Sequence, residues 1–230
     1  MTPRREGPVV TLDGPAGSGK STTARELARR LGLRHLDSGA LYRALTFALL
    51  DAGVPEARWS ALGVEDLRAL GVELLATDGG FEVRAAGRGL TSELRSAAVT
   101  GRVAKLAGLP AARACLLDLQ RGAGARGSLV ADGRDMGTVV FPDADLKIYL
   151  VADLEERARR RLREGGGEDP MGSRLAEQVG AISDRDRLDS AREISPLRKP
   201  EGAVEIDTTR LSFEEQVSAV VELVRRLTLK

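Results

Sequence analysis

Several things are scarce in this 230-residue chain, and each scarcity narrows what it does. Cysteine occurs once, at Cys115. No disulfide can form within the chain, which fits a reducing cytoplasm. Cys115 lies in the apolar stretch 114–117 and reads as a buried thiol with no catalytic partner. Histidine also occurs once, at His35, so a cluster of nitrogen and sulfur metal ligands is excluded. His35 reads as a loop or strand-edge residue. Aromatic residues make up 3% of the chain, so aliphatic side chains must build the core. No apolar run approaches the roughly 18 residues of a membrane span. Residues 1–7 lack the apolar segment of a secretory signal. Net charge is scarce too. At +1 it argues against nucleic-acid or membrane partners.

What is present points to phosphate chemistry. Val9 to Leu12 form a short β-branched run, read as a buried strand. Gly14 to Ser21 then match G-x-x-x-x-G-K-[ST] at every fixed position, and from Thr22 the apolar spacing turns helical, through Ala24, Leu27, Ala28 and Leu31. Strand, glycine loop and helix is the setting this motif requires. The loop Gly14, Pro15, Ala16, Gly17, Ser18, Gly19, Lys20, Ser21 and Thr22 is therefore expected to bind ATP. Glycines let successive backbone N–H groups face phosphate oxygens, and the following helix adds about half a positive charge. Lys20 is expected on the β- and γ-phosphates and the Ser21 hydroxyl on Mg²⁺. The loop leaves open the acceptor, and whether the chain is a kinase or a nucleotide switch.

The rest of the chain alternates. Residues 33–36, 128–131, 146–151 and 203–206 read as further strands, with helices between them. Ser38 or Asp37 opens a helix bearing Tyr42 and Arg43, and residues 52–65 read as loop with Trp59 as an anchor. Residues 66–95, split by Asp78-Gly79-Gly80, read as a small β-hairpin insert, a subdomain of its own. Helices fill 93–126 with a break near Gly108–Pro110, and Gly122–Gly127 is read as loop. Residues 132–138 form a polar loop at a strand's carboxyl end, where open α/β sheets bind ligands. Arg157 and Arg161 stand on an arginine-rich helix at 154–163, followed by Gly165–Gly167 and a second helix ending near Asp184. Such a pair can form a lid that stabilises charge on a transferring phosphoryl group and excludes water. Ser212 and Glu215 make a capping box for a closing helix over 212–229. The expected fold is a three-layer α/β P-loop domain, a five-stranded parallel sheet flanked by helices. The core is placed at about 8–65, 96–153 and 185–230, the insert at 66–95 and the lid at 154–184.

Four stretches narrow this further: 13–22, 37–43, 132–143 and 185–197. In wording, order and spacing they resemble the bacterial cytidylate kinases, and the likeness covers essentially the whole chain. The resemblance implies transfer of the ATP γ-phosphoryl group to CMP or dCMP. A cytoplasmic monomer is expected separately, from the single cysteine and because no apolar surface stripe is left over. The resemblance also implies that the β-rich insert enlarges the monophosphate-binding region. It places Ser38 and Arg43 around the CMP phosphate with Tyr42 packed nearby. It puts Arg113 and Asp135 on the cytosine edge with help from Arg192, Arg185 on phosphate or ribose, and Asp189 on the ribose hydroxyls. Arg134 would lie near the phosphates and join Lys20, Arg157 and Arg161 as a catalytic group. One position departs from the pattern: Ala104 stands where these kinases usually have a base-contacting serine. A lost hydrogen bond costs about 0.5–1.5 kcal/mol, or about threefold to tenfold in selectivity.

Overall fold

The computed structural model describes residues 6–164 and 172–228. Gly165–Gly167, expected between the lid helices, and Leu229, expected in the closing helix, lie outside the described residues. So do Met1–Arg5.

Strand β1, Val9–Asp13, is buried along its whole length. A strand with no exposed face must be covered on both sides, which is why its residues are apolar without alternation. It pairs in parallel with β6, Leu129–Gly133, on one edge and with β7, Leu146–Val151, on the other. Beyond β6 lies β2, Arg34–Asp37, and beyond β7 lies β8, Val204–Asp207, both parallel. These are the five expected parallel strands, in the order β2-β6-β1-β7-β8.

The hairpin of β3, Val72–Thr77, and β4, Gly80–Ala85, has the expected turn at Asp78-Gly79. It is not a separate sheet. Gly80 pairs in parallel with His35, and the two-residue strand β5, Arg88–Gly89, pairs with β4, so one sheet holds eight strands. The junction needs a glycine: at Gly80, φ is +157° and a Cβ would lie 2.7 Å from the His35 carbonyl oxygen. His35 is accordingly inside the sheet, between β4 and β6, and not in a loop or at an edge.

Helix α1, Lys20–Leu31, stops at Gly32, whose φ of 64° lets its N–H reach the Ala28 carbonyl. With α8, Phe213–Thr228, it covers one face of the sheet. Ala24, Leu27, Val217 and Val220 pack on Val10, Leu12, Val130 and Ile148. The capping box is present, Ser212 N–H donating to Glu215 Oε2 at 2.8 Å and Glu215 N–H to Ser212 Oγ at 3.3 Å. The other face carries α2, Ser38–Asp51, α4, Ala97–Ala107, and α5, Pro110–Gly124, over Val9, Leu36, Leu129 and Ala131.

Three boundaries differ from the sequence expectation. Residues 52–65 contain a 3₁₀ turn, Glu56–Ala61, and the start of α3, Val64–Arg68. Trp59 anchors the turn, buried and donating from Nε1 to the Val54 carbonyl at 3.1 Å. Helix α5 runs on to Gly124 because glycine at a helix end costs only about 1 kcal/mol. Beyond α6, Leu154–Glu164, helix α7 spans Ser173–Ser190. Its charged second half continues the helix past Asp184, since its side chains find partners along the way.

A buried carboxylate joins the ends of β1 and β6. Asp13 is fully buried and accepts from the N–H groups of Met136 at 2.8 Å and Gly137 at 2.7 Å. Those two residues open a π-type turn, Met136–Val140. Burial pushes the Asp13 carboxyl up to about 7, and the two amides and Lys20 only partly pull it back. The folded protein thus keeps a proton that the unfolded chain has released, so this group's contribution to stability falls as pH rises from about 4 to about 7. Asp13→Asn removes the titration, and denaturant melts taken at a series of pH values should show a shallower decline across that window. An unchanged slope would return Asp13 to an ordinary pKa. In the core, Leu27→Ala should cost about 2–5 kcal/mol in the same assay. Leu75→Ala, on an exposed part of β3, should stay within about 0.5 kcal/mol.

Candidate active site

The phosphate loop sits where β1 ends, at the carboxyl edge of the sheet. Its glycines are required. Gly14, Gly17 and Gly19 have φ of 148°, 77° and 85°. A Cβ on Gly14 would meet the Leu150 carbonyl oxygen at 2.1 Å, and one on Gly19 the Gln216 amide at 2.8 Å. Among the described residues no side chain caps α1, so its first N–H groups remain available to an anion. Lys20 is buried, with Nζ donating to the Pro15 carbonyl at 2.6 Å and to Ser18 Oγ at 3.2 Å. Burial, and then the charge of Arg134, hold its ammonium well below the usual lysine range. Thr22 turns back to the Gly19 carbonyl at 2.9 Å.

Ser21 Oγ donates to Asp132 Oδ2 at 2.5 Å, and the other oxygen of that carboxylate lies 2.7 Å from His35 Nε2. Asp132 is a candidate that sequence reasoning passed over. Its signal was there: an apolar strand, 129–131, running straight into an aspartate beside a phosphate loop, which is where P-loop proteins keep a metal-holding carboxylate.

Arg134 and Asp135 immediately precede the turn held by Asp13. Asp135 is buried and ion-paired with the buried Arg113, which also donates to the Ala107 carbonyl at 3.0 Å. The Arg113 guanidinium stands 5.4 Å from the centre of the Tyr42 ring. Burial pushes the Tyr42 phenol up, so it stays neutral. Asp189 is buried between Arg134, 2.8 Å away, and Arg192. Burial raises its carboxyl, but Arg134, Arg192 and Arg185 together outweigh that and hold it low. Ser38 is buried and accepts from Gln120 Nε2 at 2.7 Å, which leaves its own proton free to donate. Gln120 was not legible in the sequence, because an amide on a helix carries no motif.

The remaining cations crowd together. Arg43 donates to the Leu94 carbonyl at 3.1 Å and to Thr100 Oγ1 at 2.9 Å. Burial, and then Arg161, lower its pKa. Arg185 is pushed down to about 10, first by burial and then by Arg134, with Arg43 and Arg161 adding to it. Its Nε is buried with no hydrogen-bond partner among the described residues. Arg161 is partly exposed and pairs with Glu164 at 3.0 Å. Arg157 lies apart from this cluster, in the first turn of α6. It is buried, donating to the carbonyls of Ala152 and Ala16, both at 2.9 Å, and pairing with Asp186. Asp186 in turn accepts from the Ala16 N–H at 2.9 Å. Ala104 is half-buried on α4, the helix that touches α7.

Comparisons with known proteins identify the family. A model of the cytidylate kinase family matches residues 10–226. A cytidylate kinase from Carboxydothermus hydrogenoformans is 42% identical over 224 residues, covering 94% of this chain and 97% of that protein. A bifunctional pantoate ligase/cytidylate kinase from Synechococcus sp. (strain WH7803) is 44% identical over 220 residues. The match covers 95% of this chain and 44% of that protein, so the chain spans under half the length of such two-function relatives. A solved structure of an uncharacterized protein from Eubacterium ventriosum shares the fold, with a TM-score of 0.51 and 9% identity over 96% of this chain and 99% of that one. The match to the family model runs through both the phosphate loop and the Arg113–Asp135 side of the crevice, and the chain belongs to the cytidylate kinase family.

Proposed function

We propose that this protein transfers the γ-phosphoryl group of ATP to CMP or dCMP, giving ADP and CDP or dCDP. The observation that carries the reading is the buried Arg113–Asp135 pair, whose carboxylate stands next to the Met136–Gly137 amides held by Asp13, the residue before the phosphate loop. A carboxylate held by an arginine suits cytosine, whose exocyclic amino group donates while O2 and N3 accept. Uracil offers an acceptor where cytosine offers that donor, so it would leave Asp135 unpaired. Sites built on such pairing discriminate by about 10⁴-fold.

The donor end fits its ligands. Ser21 and Asp132 put two hard oxygen donors together, the chemistry magnesium prefers. When bound, the ion would neutralise charge on the β- and γ-phosphates. The glycine loop and the open end of α1 would hold the phosphates, and Lys20 would exchange its Pro15 and Ser18 contacts for phosphate oxygens. At the acceptor end, Arg43, Arg185 and the Ser38 hydroxyl would bind the monophosphate, with Tyr42 beside them. Asp189, fixed between Arg134 and Arg192, would take the ribose hydroxyls. The acceptor phosphate is already a nucleophile, so no strong general base is needed. Catalysis is alignment plus charge stabilisation by Lys20, Arg134 and Arg161. Arg157 contributes by holding the Ala16 peptide of the loop. The lid, drawn at 154–184, moves with the rest of α7, and its closure would exclude water.

We read the protein as a cytoplasmic monomer without nucleic-acid or membrane partners. The large exposed apolar side chains, Leu75, Leu188, Ile194, Val204 and Phe213, sit on five different stretches. Among the described residues, no helix is long and apolar enough to cross a membrane.

Two measurements test this reading. ADP formation from Mg-ATP should be strong with CMP and dCMP and weak with UMP, AMP and GMP. Asp135→Asn should narrow the CMP-to-UMP ratio of kcat/KM by about 10²-fold or more. Comparable UMP turnover in the wild type would keep a kinase with relaxed base reading and point to Ala104. Turnover with none of these acceptors would reopen a metabolite kinase or a nucleotide switch. Lys20→Ala should lower kcat by about 10²–10³-fold with an unchanged circular dichroism spectrum. Near-normal turnover would remove Lys20 from its role.

A further inference from the structure

We propose that His35 is a positioning residue for the metal-nucleotide end of the site, holding the Asp132 carboxylate so that Oδ2 faces Ser21. The inference rests on the reading above that Ser21 and Asp132 hold the magnesium ion of ATP.

The sheet register sets up the contact. His35 pairs with Val130 and Asp37 with Asp132, so His35 and Asp132 lie two steps apart on neighbouring parallel strands. Side chains two steps apart point to the same face of a sheet, here the face covered by α1, which begins at Lys20 and Ser21. His35 Nε2 stands 2.7 Å from Asp132 Oδ1, with the ring 12% exposed. An ionised carboxylate only accepts hydrogen bonds, so Nε2 carries the proton. The two oxygens of Asp132 are thereby divided, Oδ1 to His35 and Oδ2 to Ser21. A carboxylate pinned at one oxygen cannot rotate the other away without losing a bond.

Among the described residues no other side chain is placed to hold Oδ1 of Asp132. Asp37, directly opposite Asp132, is a like charge and is occupied in capping α2, where Oδ1 accepts from the Ala40 N–H at 3.0 Å. The backbone of His35 is itself fixed by the inserted hairpin, through its N–H to the Gly79 carbonyl at 3.3 Å and the tight approach of Gly80. The hairpin therefore reaches the donor end of the site through a single imidazole. Partners that orient metal ligands in this way are typically worth about 10–100-fold in metal affinity.

Two variants of similar polarity separate this role from simple packing. A glutamine places its amide nitrogen where Nε2 stands, while an asparagine is one carbon shorter and falls short of Asp132. Mn²⁺ titrated into the intact protein with ADP, followed by electron paramagnetic resonance, reads metal affinity without turnover. Calorimetry with CMP in the absence of metal reads the acceptor end. His35→Asn should weaken Mn²⁺ binding about tenfold or more, His35→Gln should stay within about threefold of wild type, and CMP affinity should be unchanged in both. Wild-type Mn²⁺ affinity in His35→Asn overturns the proposal, and so does an equal loss in both variants, which would mean that ring shape matters and not the donor. A wild-type protein that adds nothing to the affinity of ADP for Mn²⁺ overturns the magnesium reading itself, and this proposal with it.

Discussion

The first turn of α1 has to stay open, and much of the molecule is arranged around that demand. A helix start ordinarily gains about 1 kcal/mol from a capping side chain. Here the position before Lys20 is Gly19, in a left-handed conformation with nothing to offer. The loop is held from outside instead. Gln216 of α8 donates to Thr23 and packs on Gly19. Arg157 of α6 and Asp186 of α7 take the carbonyl and the N–H of Ala16. Lys20 closes the ring from within. The amides that would bind phosphate are left unpaired while the peptides around them are tied down.

The acceptor end makes the opposite trade. Burial, and then the charges of Arg134 and Arg161, depress Arg43 and Arg185. Among the described residues Asp189, Asp37 and Glu164 supply counter-charge, and Asp189 is shared between Arg134 and Arg192. A cluster of this kind lowers the stability of the empty protein. Anions that relieve the repulsion bind with the energy it stores, and stabilise the fold in doing so. The site is thus selected for charge before it is selected for shape.

Much of this was legible in the sequence, because it rests on local rules. The phosphate loop, the five parallel strands, the Asp78-Gly79 turn and the Ser212–Glu215 box each follow from spacing within a dozen residues. What was not legible depends on register between distant strands. His35 looked peripheral, because nothing local tells that Gly80 pairs with it and buries it. Asp132 looked like the start of a polar loop, because its contact with Ser21 spans 111 residues. The arginines of 154–163 could be counted but not sorted. Only packing sends Arg157 under the loop and leaves Arg161 near the acceptor cluster. The resemblance to cytidylate kinases grouped Arg113 with Asp135, and the two are ion-paired in the fold.

The continuity of α7 has a mechanical meaning. Its 18 residues make a rod about 27 Å long. Asp186 and Asp189 pin one end, to the phosphate loop and to Arg134, while Ser173 begins the other. A swing of about 10° about a pivot between those two carboxylates would carry the far tip, about 22 Å away, by roughly 4 Å. The same swing would shift the ion-paired carboxylates by about half an ångström. Gearing of that kind would turn a small adjustment beside the phosphate loop into a larger displacement at the far end of α7.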